Sequence, residues 1–223
     1  MKRRALYEGR WIFAILLILW VVCFLLIPWL ALLPALAILF TLWFFRDPHR
    51  EVPSDPTVIV SPADGVVTDV EQVAERPFGS GPGWRISIFL SIFDVHVNRS
   101  PVAGTVIHSE FKPGEFLDAR NAEAQVKNQS RTWQIREDSS NRLIEVRQIA
   151  GAIARRIVAW SQPGDPLERG ERFGMIRFGS RTDLFLPLEA EVLVKPGDRV
   201  AGASSPIARW KSSSGKSSSE NIA

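Results

Sequence analysis

The chain has 223 residues, 46% of them hydrophobic, and a formal net charge of +3, which suits one folded domain with additions rather than several domains. Its only cysteine, Cys23, sits in an apolar stretch, which excludes a disulfide framework and, in the remainder of the chain, a thiolate metal site or a cysteine nucleophile. The modest charge comes without any aromatic–basic recognition motif, which points away from nucleic acid.

The first predicted element is apolar. Residues 11–45 carry no charged side chain, and Thr41 is their only hydroxyl, a composition that reads as a helical membrane segment. A cleaved leader would be shorter and would end at a small-residue cleavage site. Pro28 leaves about 17 residues on either side, roughly 26 Å of helix apiece. The expectation for residues 1–45 is therefore a membrane-anchoring helical hairpin broken at Pro28, with a re-entrant or kinked helix as the alternative. Lys2, Arg3, Arg4 and Arg10 precede the apolar run, Arg46 and Arg50 follow it, and its middle has no basic residue. The positive-inside rule then places both ends, and the body that follows, on the cytoplasmic side of the cell membrane.

Pro48, Pro53 and Pro56 predict a stiff linker. Val58-Ile59-Val60 and Gly65-Val66-Val67 read as strands joined by a turn, and Asp64 taken alone is a turn former. Residues 84–93 alternate as a strand and run into Asp94-Val95-His96-Val97-Asn98-Arg99-Ser100-Pro101. A lone strand histidine is more often structural than catalytic, although its pKa suits either role. Val102-Ala103-Gly104-Thr105-Val106 echoes Ala63-Asp64-Gly65-Val66-Val67, and Pro196-Gly197-Asp198-Arg199-Val200 echoes both more loosely. Glycine corners followed by β-branched residues predict a mainly β body with few short helices over residues 46–210. It is similar to the barrel-sandwich of lipoyl carrier domains. Residues 116–126 read as a short helix or a loop, and residues 133–135 and 143–149 as a hairpin. Residues 211–223, rich in serine and lysine, read as a disordered tail.

Between these, Phe173 and Met175 alternate into a Gly179-Ser180 step, and apolar residues resume at Leu184-Phe185-Leu186. Gly179 leaves its carbonyl sterically open, and Ser180 supplies a hydroxyl on the next residue. The ordinary reading is a bulge between strands. No nucleophile elbow, Walker loop, zincin helix or dinucleotide-binding glycine loop occurs in the sequence.

Three segments together carry more than each does alone. Pro62-Ala63-Asp64-Gly65, the run Phe93-Asp94-Val95-His96-Val97-Asn98-Arg99-Ser100-Pro101, and Gly174-Met175-Ile176-Arg177-Phe178-Gly179-Ser180-Arg181-Thr182-Asp183 occur in this order. Their order and context resemble the short bacterial form of the phosphatidylserine decarboxylases. The resemblance covers about residues 46–209 and includes Ile149-Ala150-Gly151 and Ile153-Ala154-Arg155-Arg156-Ile157.

The resemblance implies self-cleavage between Gly179 and Ser180 into a chain of residues 1–179 and one of residues 180–223, paired as a heterodimer and open to higher assembly. Ser180 attacks the Gly179 carbonyl, with His96 and Asp64 as base and orienter. A pyruvoyl group made from Ser180 is then the covalent cofactor, and no metal is implied. Its ketone forms a Schiff base with phosphatidylserine from the bilayer and accepts the electrons left when carbon dioxide departs. His96 is the proton donor to the product, phosphatidylethanolamine. Where longer members have a second histidine this chain has Arg99, a candidate for holding phosphate or carboxylate. Where many short members have Asn-Glu-Arg it has Asn128-Gln129-Ser130. The alternatives are a decarboxylase of another serine phospholipid, of the archaetidylserine kind, and a non-catalytic membrane-anchored adaptor of the lipoyl type.

Overall fold

Two periodicities divide the chain, an unbroken apolar run at the start and period-two alternation after it. The computed structural model describes residues 4–121, 123–152, 156–177 and 180–211. The start forms helices α1 (Arg4–Glu8), α2 (Arg10–Leu26) and α3 (Leu32–Phe44), with a 3-10 turn at Pro28–Ala31 between the last two. The break falls at Ile27 (φ −145°, ψ 82°), because Pro28 has no N–H to continue the α2 ladder but suits the first position of a new turn. Helices α2 and α3 fold back on one another, so that the Phe13 and Phe45 rings lie 6.4 Å apart at the hairpin's foot.

The hairpin broken near Pro28 matches the expectation, but its reading as a membrane-spanning segment needs correction. Helix α2 has 17 residues and α3 has 13, roughly 26 and 20 Å of helix. Among the described residues no helix is long and apolar enough to cross a membrane. The proline turn takes up residues that a single span would have used. At the far end Leu25, Leu26 and Trp29 are strongly exposed.

The rest is mainly β, as its alternation predicts. The strands are β1 (Val58–Val60), β2 (Gly65–Val73), β3 (Gly83–Leu90), β4 (Val97–Arg99), β5 (Gly104–Lys112), β6 (Ser130–Glu137), β7 (Leu143–Ile149), β8 (Arg156–Ala159), β9 (Pro166–Leu167), β10 (Arg172–Arg177), β11 (Ser180–Pro187), β12 (Ala190–Val192), β13 (Arg199–Val200) and β14 (Pro206–Trp210). A sheet of eight strands runs β13-β2-β3-β11-β7-β6-β5-β9, and two sheets of three run β1-β14-β12 and β4-β10-β8. Trp133, Phe173, Ile86, Ile88 and Leu184 are fully buried in the core that these sheets share.

Strand β11 lies inside the large sheet, paired with β3 on one side (Ser180 opposite Leu90) and β7 on the other (Arg181 opposite Ile149). Strand β10 lies in the small sheet between β4 and β8. The chain therefore changes sheets across residues 178–179, which lie outside the described residues. Residues 153–155 and the predicted tail over residues 212–223 also lie outside them. A second apolar cluster of Ala5, Phe44, Phe45, Val95, Val97, Val158 and Met175 seats the foot of the hairpin on the small sheet. Arg177 fastens the same junction, donating to the Glu8 carbonyl at 2.6 Å and its carboxylate at 2.5 Å.

The segment read as helix or loop is mostly loop. Helix α4 (Ala124–Lys127) has only four residues. Asn128 holds the loop by accepting from Leu117 N and donating to the carbonyls of Leu117 and Ala150, each at 2.8 Å.

Candidate active site

Asp64 sits at the entry to β2, where Gly65 follows with φ +148° and a Cβ would lie 2.2 Å from the Phe89 carbonyl oxygen. The Asp-Gly pair thus serves a close approach of β2 to β3, which only a residue without a side chain permits. Asp64 Oδ1 accepts from Gly202 N at 2.9 Å, and Oδ2 pairs with Arg50 Nη2 at 2.5 Å. Burial pushes the Asp64 carboxyl above its usual range, against the pull of the Gly202 N–H and the Arg50 guanidinium.

His96 precedes β4 and is completely buried. Its Nδ1 lies 3.0 Å from the carbonyl oxygen of Asp94. A carbonyl only accepts, so this contact assigns the ring proton to Nδ1 and the lone pair to Nε2. Burial lowers the imidazole pKa to about 4 despite the nearby Asp94, and the ring is neutral at physiological pH. Phe44 from the foot of the hairpin packs on it, with centroids 4.5 Å apart. The Asp94 side chain closes its own turn, accepting from Ser91 N at 2.8 Å and Ser91 Oγ at 2.7 Å. That turn ends the predicted strand at Leu90.

Ser180 opens β11 fully buried, and its Oγ has no hydrogen-bond partner among the described residues. The other half of the cleavage position, Gly179, lies outside the described residues. His96 borders the strand leading there, because its carbonyl accepts from Ile176 N at 3.1 Å. Asn98, two residues after His96, donates to Thr182 Oγ1 at 3.1 Å and accepts from Gln148 Nε2 at 2.8 Å. Gln148 in turn accepts from Trp133 Nε1 at 2.8 Å. This buried chain ties the strand after His96 to the strand that Ser180 opens. The main chain adds a bond from Arg99 N to the Pro62 carbonyl at 3.0 Å, which joins the same strand to the loop that carries Asp64.

Arg99 is engaged within the protein. Its guanidinium is buried and donates to the Gly170 carbonyl (3.1 Å), Asp47 Oδ1 (2.6 Å) and the Pro48 carbonyl (3.1 Å). Asp47 also pairs with Arg172. The carboxyl partners of Asp64 and His96 differ from a simple triad as well. Asp64 is held by Arg50 and Gly202, and the Asp94 main chain orients the imidazole. Arg50, Asp47, Asn98 and Gln148 are not singled out by sequence reasoning. The only signal for the first two was the density of charge in Arg46-Asp47-Pro48-His49-Arg50, which reads as an exit from the apolar run.

A buried hydroxyl with no hydrogen-bond partner among the described residues and a neutral buried imidazole beside the strand leading to it suit an enzyme better than a carrier. Comparison with known proteins is specific. The sequence profile of the phosphatidylserine decarboxylase family matches residues 37–208. A phosphatidylserine decarboxylase proenzyme of Symbiobacterium thermophilum is 46% identical over 211 residues, covering 94% of this chain and 97% of that protein. One from Carboxydothermus hydrogenoformans is 47% identical over 205 residues, covering 92% and 95%. One from Solibacter usitatus is 47% identical over 182 residues, covering 82% and 84%. The chain belongs to the phosphatidylserine decarboxylase family, a family of carboxy-lyases.

Proposed function

We propose that this chain is a proenzyme that cuts itself before Ser180 and then converts phosphatidylserine to phosphatidylethanolamine and carbon dioxide. The observation that carries the self-processing is the Ser180 hydroxyl, buried with no hydrogen-bond partner among the described residues. Leaving such a group unsatisfied costs about 1–3 kcal/mol, and a serine kept only for structure would be bonded.

With its lone pair on Nε2, His96 takes the Ser180 proton as Oγ adds to the Gly179 carbonyl. The Gly179–Ser180 amide bond breaks, the proton passes to the Ser180 nitrogen, and an ester joins Gly179 to Oγ. Loss of the Ser180 Cα proton expels the Gly179 carboxylate and leaves a dehydroalanine, and water replaces its nitrogen as ammonia. The orphaned oxygen fits this fate, because the product needs no donor at that place. When formed, the pyruvoyl group supplies an electrophilic carbonyl for the substrate amine and a sink for the electrons released with carbon dioxide. His96 is the group placed to hold the proton that the product carbon needs. Asp64, held by Arg50 and the Gly202 N–H, takes the supporting carboxyl role that its motif implies.

The hairpin's exposed apolar surface supports attachment to a bilayer, entered from one side. Arg4 and Arg10 are exposed at its start, which favours the anionic cytoplasmic face. The hairpin's foot lies on the small sheet beside His96, so a phospholipid head group at the bilayer surface would be near the reaction centre. The functional partners are then the lipid and the two products of the cut, held together as one body.

The test is an intact mass. Active protein should contain a chain of residues 1–179 and one of residues 180–223 that begins with pyruvoyl and resists Edman sequencing. Full activity from an uncut 25.0 kDa chain would overturn the proposal. Ser180→Ala should remain whole and inactive.

A further inference from the structure

We propose that residues 46–50 are part of the self-cleavage centre, with Arg50 as the positioning residue that holds the Asp64 carboxyl group in place. The inference rests on the self-cleavage proposed above.

A spacer between an anchor and a domain would leave its charges in water. Here Arg46, Asp47 and Arg50 are each engaged with an element of the site. Arg46 donates to the Phe93 carbonyl at 2.7 Å, on the turn that leads to His96, and its guanidinium lies 3.9 Å over the Trp43 ring. Asp47 pairs with Arg99 of β4 and Arg172 of β10, the strands on either side of the His96–Ile176 contact. Arg50 pairs with Asp64 at 2.5 Å, with both side chains under a fifth exposed. The surface pair Arg120–Asp118, at 71% and 49%, shows what a solvated ion pair looks like in this molecule. Five consecutive residues thus reach the histidine turn, the strand before the cleavage position and the carboxylate loop.

The need for Arg50 follows from the surroundings of Asp64. Three cations act on it or are acted on by it: Arg50 from the linker, Arg46 at the hairpin end and Arg99 from β4. Asp94, on the turn before His96, opposes them, and the Gly202 N–H holds the other oxygen. Among the described side chains only Arg50 is hydrogen-bonded to the carboxylate. Burial pushes the Asp64 carboxyl up, and a guanidinium that never gives up its own proton is a partner that opposes this.

The experiment uses full-length chain made in a cell-free system and shifted across pH, with cleavage followed by intact mass and folding by thermal melting. Arg50→Gln is expected to slow cleavage roughly 10–100-fold, the worth of a charge-assisted bond. Its acid limb should move to higher pH as Asp64 loses its cation. Arg50→Lys keeps the charge but not the fork, and is expected to bring the limb back towards the wild-type position. Wild-type rate and pH profile in Arg50→Gln would overturn the assignment. So would equal slowing in Gln and Lys variants with the limb unmoved, which is the signature of packing alone. If Arg50→Gln fails to fold, the Lys variant decides by the position of its limb. A wild-type chain that stays whole at every pH would instead overturn the proposed function.

Discussion

His96 shows how a single side chain can couple chemistry to stability. Its folded pKa of about 4 lies below the ordinary 6.5, so between those values the unfolded chain binds more protons than the folded one. Stability is therefore full above about pH 6.5 and falls as pH drops towards 4, by on the order of 3 kcal/mol for this group. Asp64 and Glu145, both raised by burial, act in the opposite sense and offset part of the loss. In the uncut Ser180→Ala background, urea unfolding should show that decline, and His96→Phe should flatten it. An unchanged slope in the Phe variant would mean that the imidazole is not the group responsible. Asp64, His96 and Ser180 stood out in the sequence because their motifs did. Their partners did not, because the imidazole is held by a main-chain carbonyl and the carboxylate by an arginine from the linker.

At the scale of elements, the buried amide network of Asn98, Gln148 and Thr182 joins three strands that come from distant parts of the chain. Asn98→Ala removes a donor and an acceptor from a fully buried site. It should lower stability by about 1–3 kcal/mol, measured on the uncut chain by chemical denaturation. The ion pair of Arg76 and Glu145 under the large sheet is more demanding, with both side chains almost wholly buried. Glu145→Ala strands the arginine and should cost about 3–5 kcal/mol. A double variant that removes both charges should recover part of that loss. Long alternating strands such as β3 and β11 were legible in the sequence. The two-residue strand β9 was not, because its identity lies in what it pairs with. The stretch over residues 116–126 read as helix or loop for the same reason, since Asn128, through contacts with Leu117 and Ala150, holds it.

For the whole molecule, the apolar hairpin and the β body meet at one seam, the cluster of Ala5, Phe44, Phe45, Val97 and Met175. Apolar residues at the far end of the hairpin are remote from that seam. A Leu25→Asp, Leu26→Asp double variant should bind anionic vesicles more weakly in a flotation assay while still cutting itself at the normal rate. Loss of self-cleavage in that variant would show that the tip reaches the site. The apolar run and its proline break were plain in the sequence. The seam was not, because it depends on which faces of α1, α3 and the small sheet fit together.

The place of β11 has a kinetic consequence. Residues 180–210 supply a strand flanked on both sides in the eight-stranded sheet, an edge strand to that sheet and two strands of the β1-β14-β12 sheet. If the backbone is severed before Ser180 as proposed, no rigid-body path lets the smaller piece leave. It is interleaved, and escape requires breaking both sheets at once. The off-rate of the fragment should then equal the rate of global unfolding. Dilution would not separate the two products, and denaturant would release them only at the concentration that melts the fold.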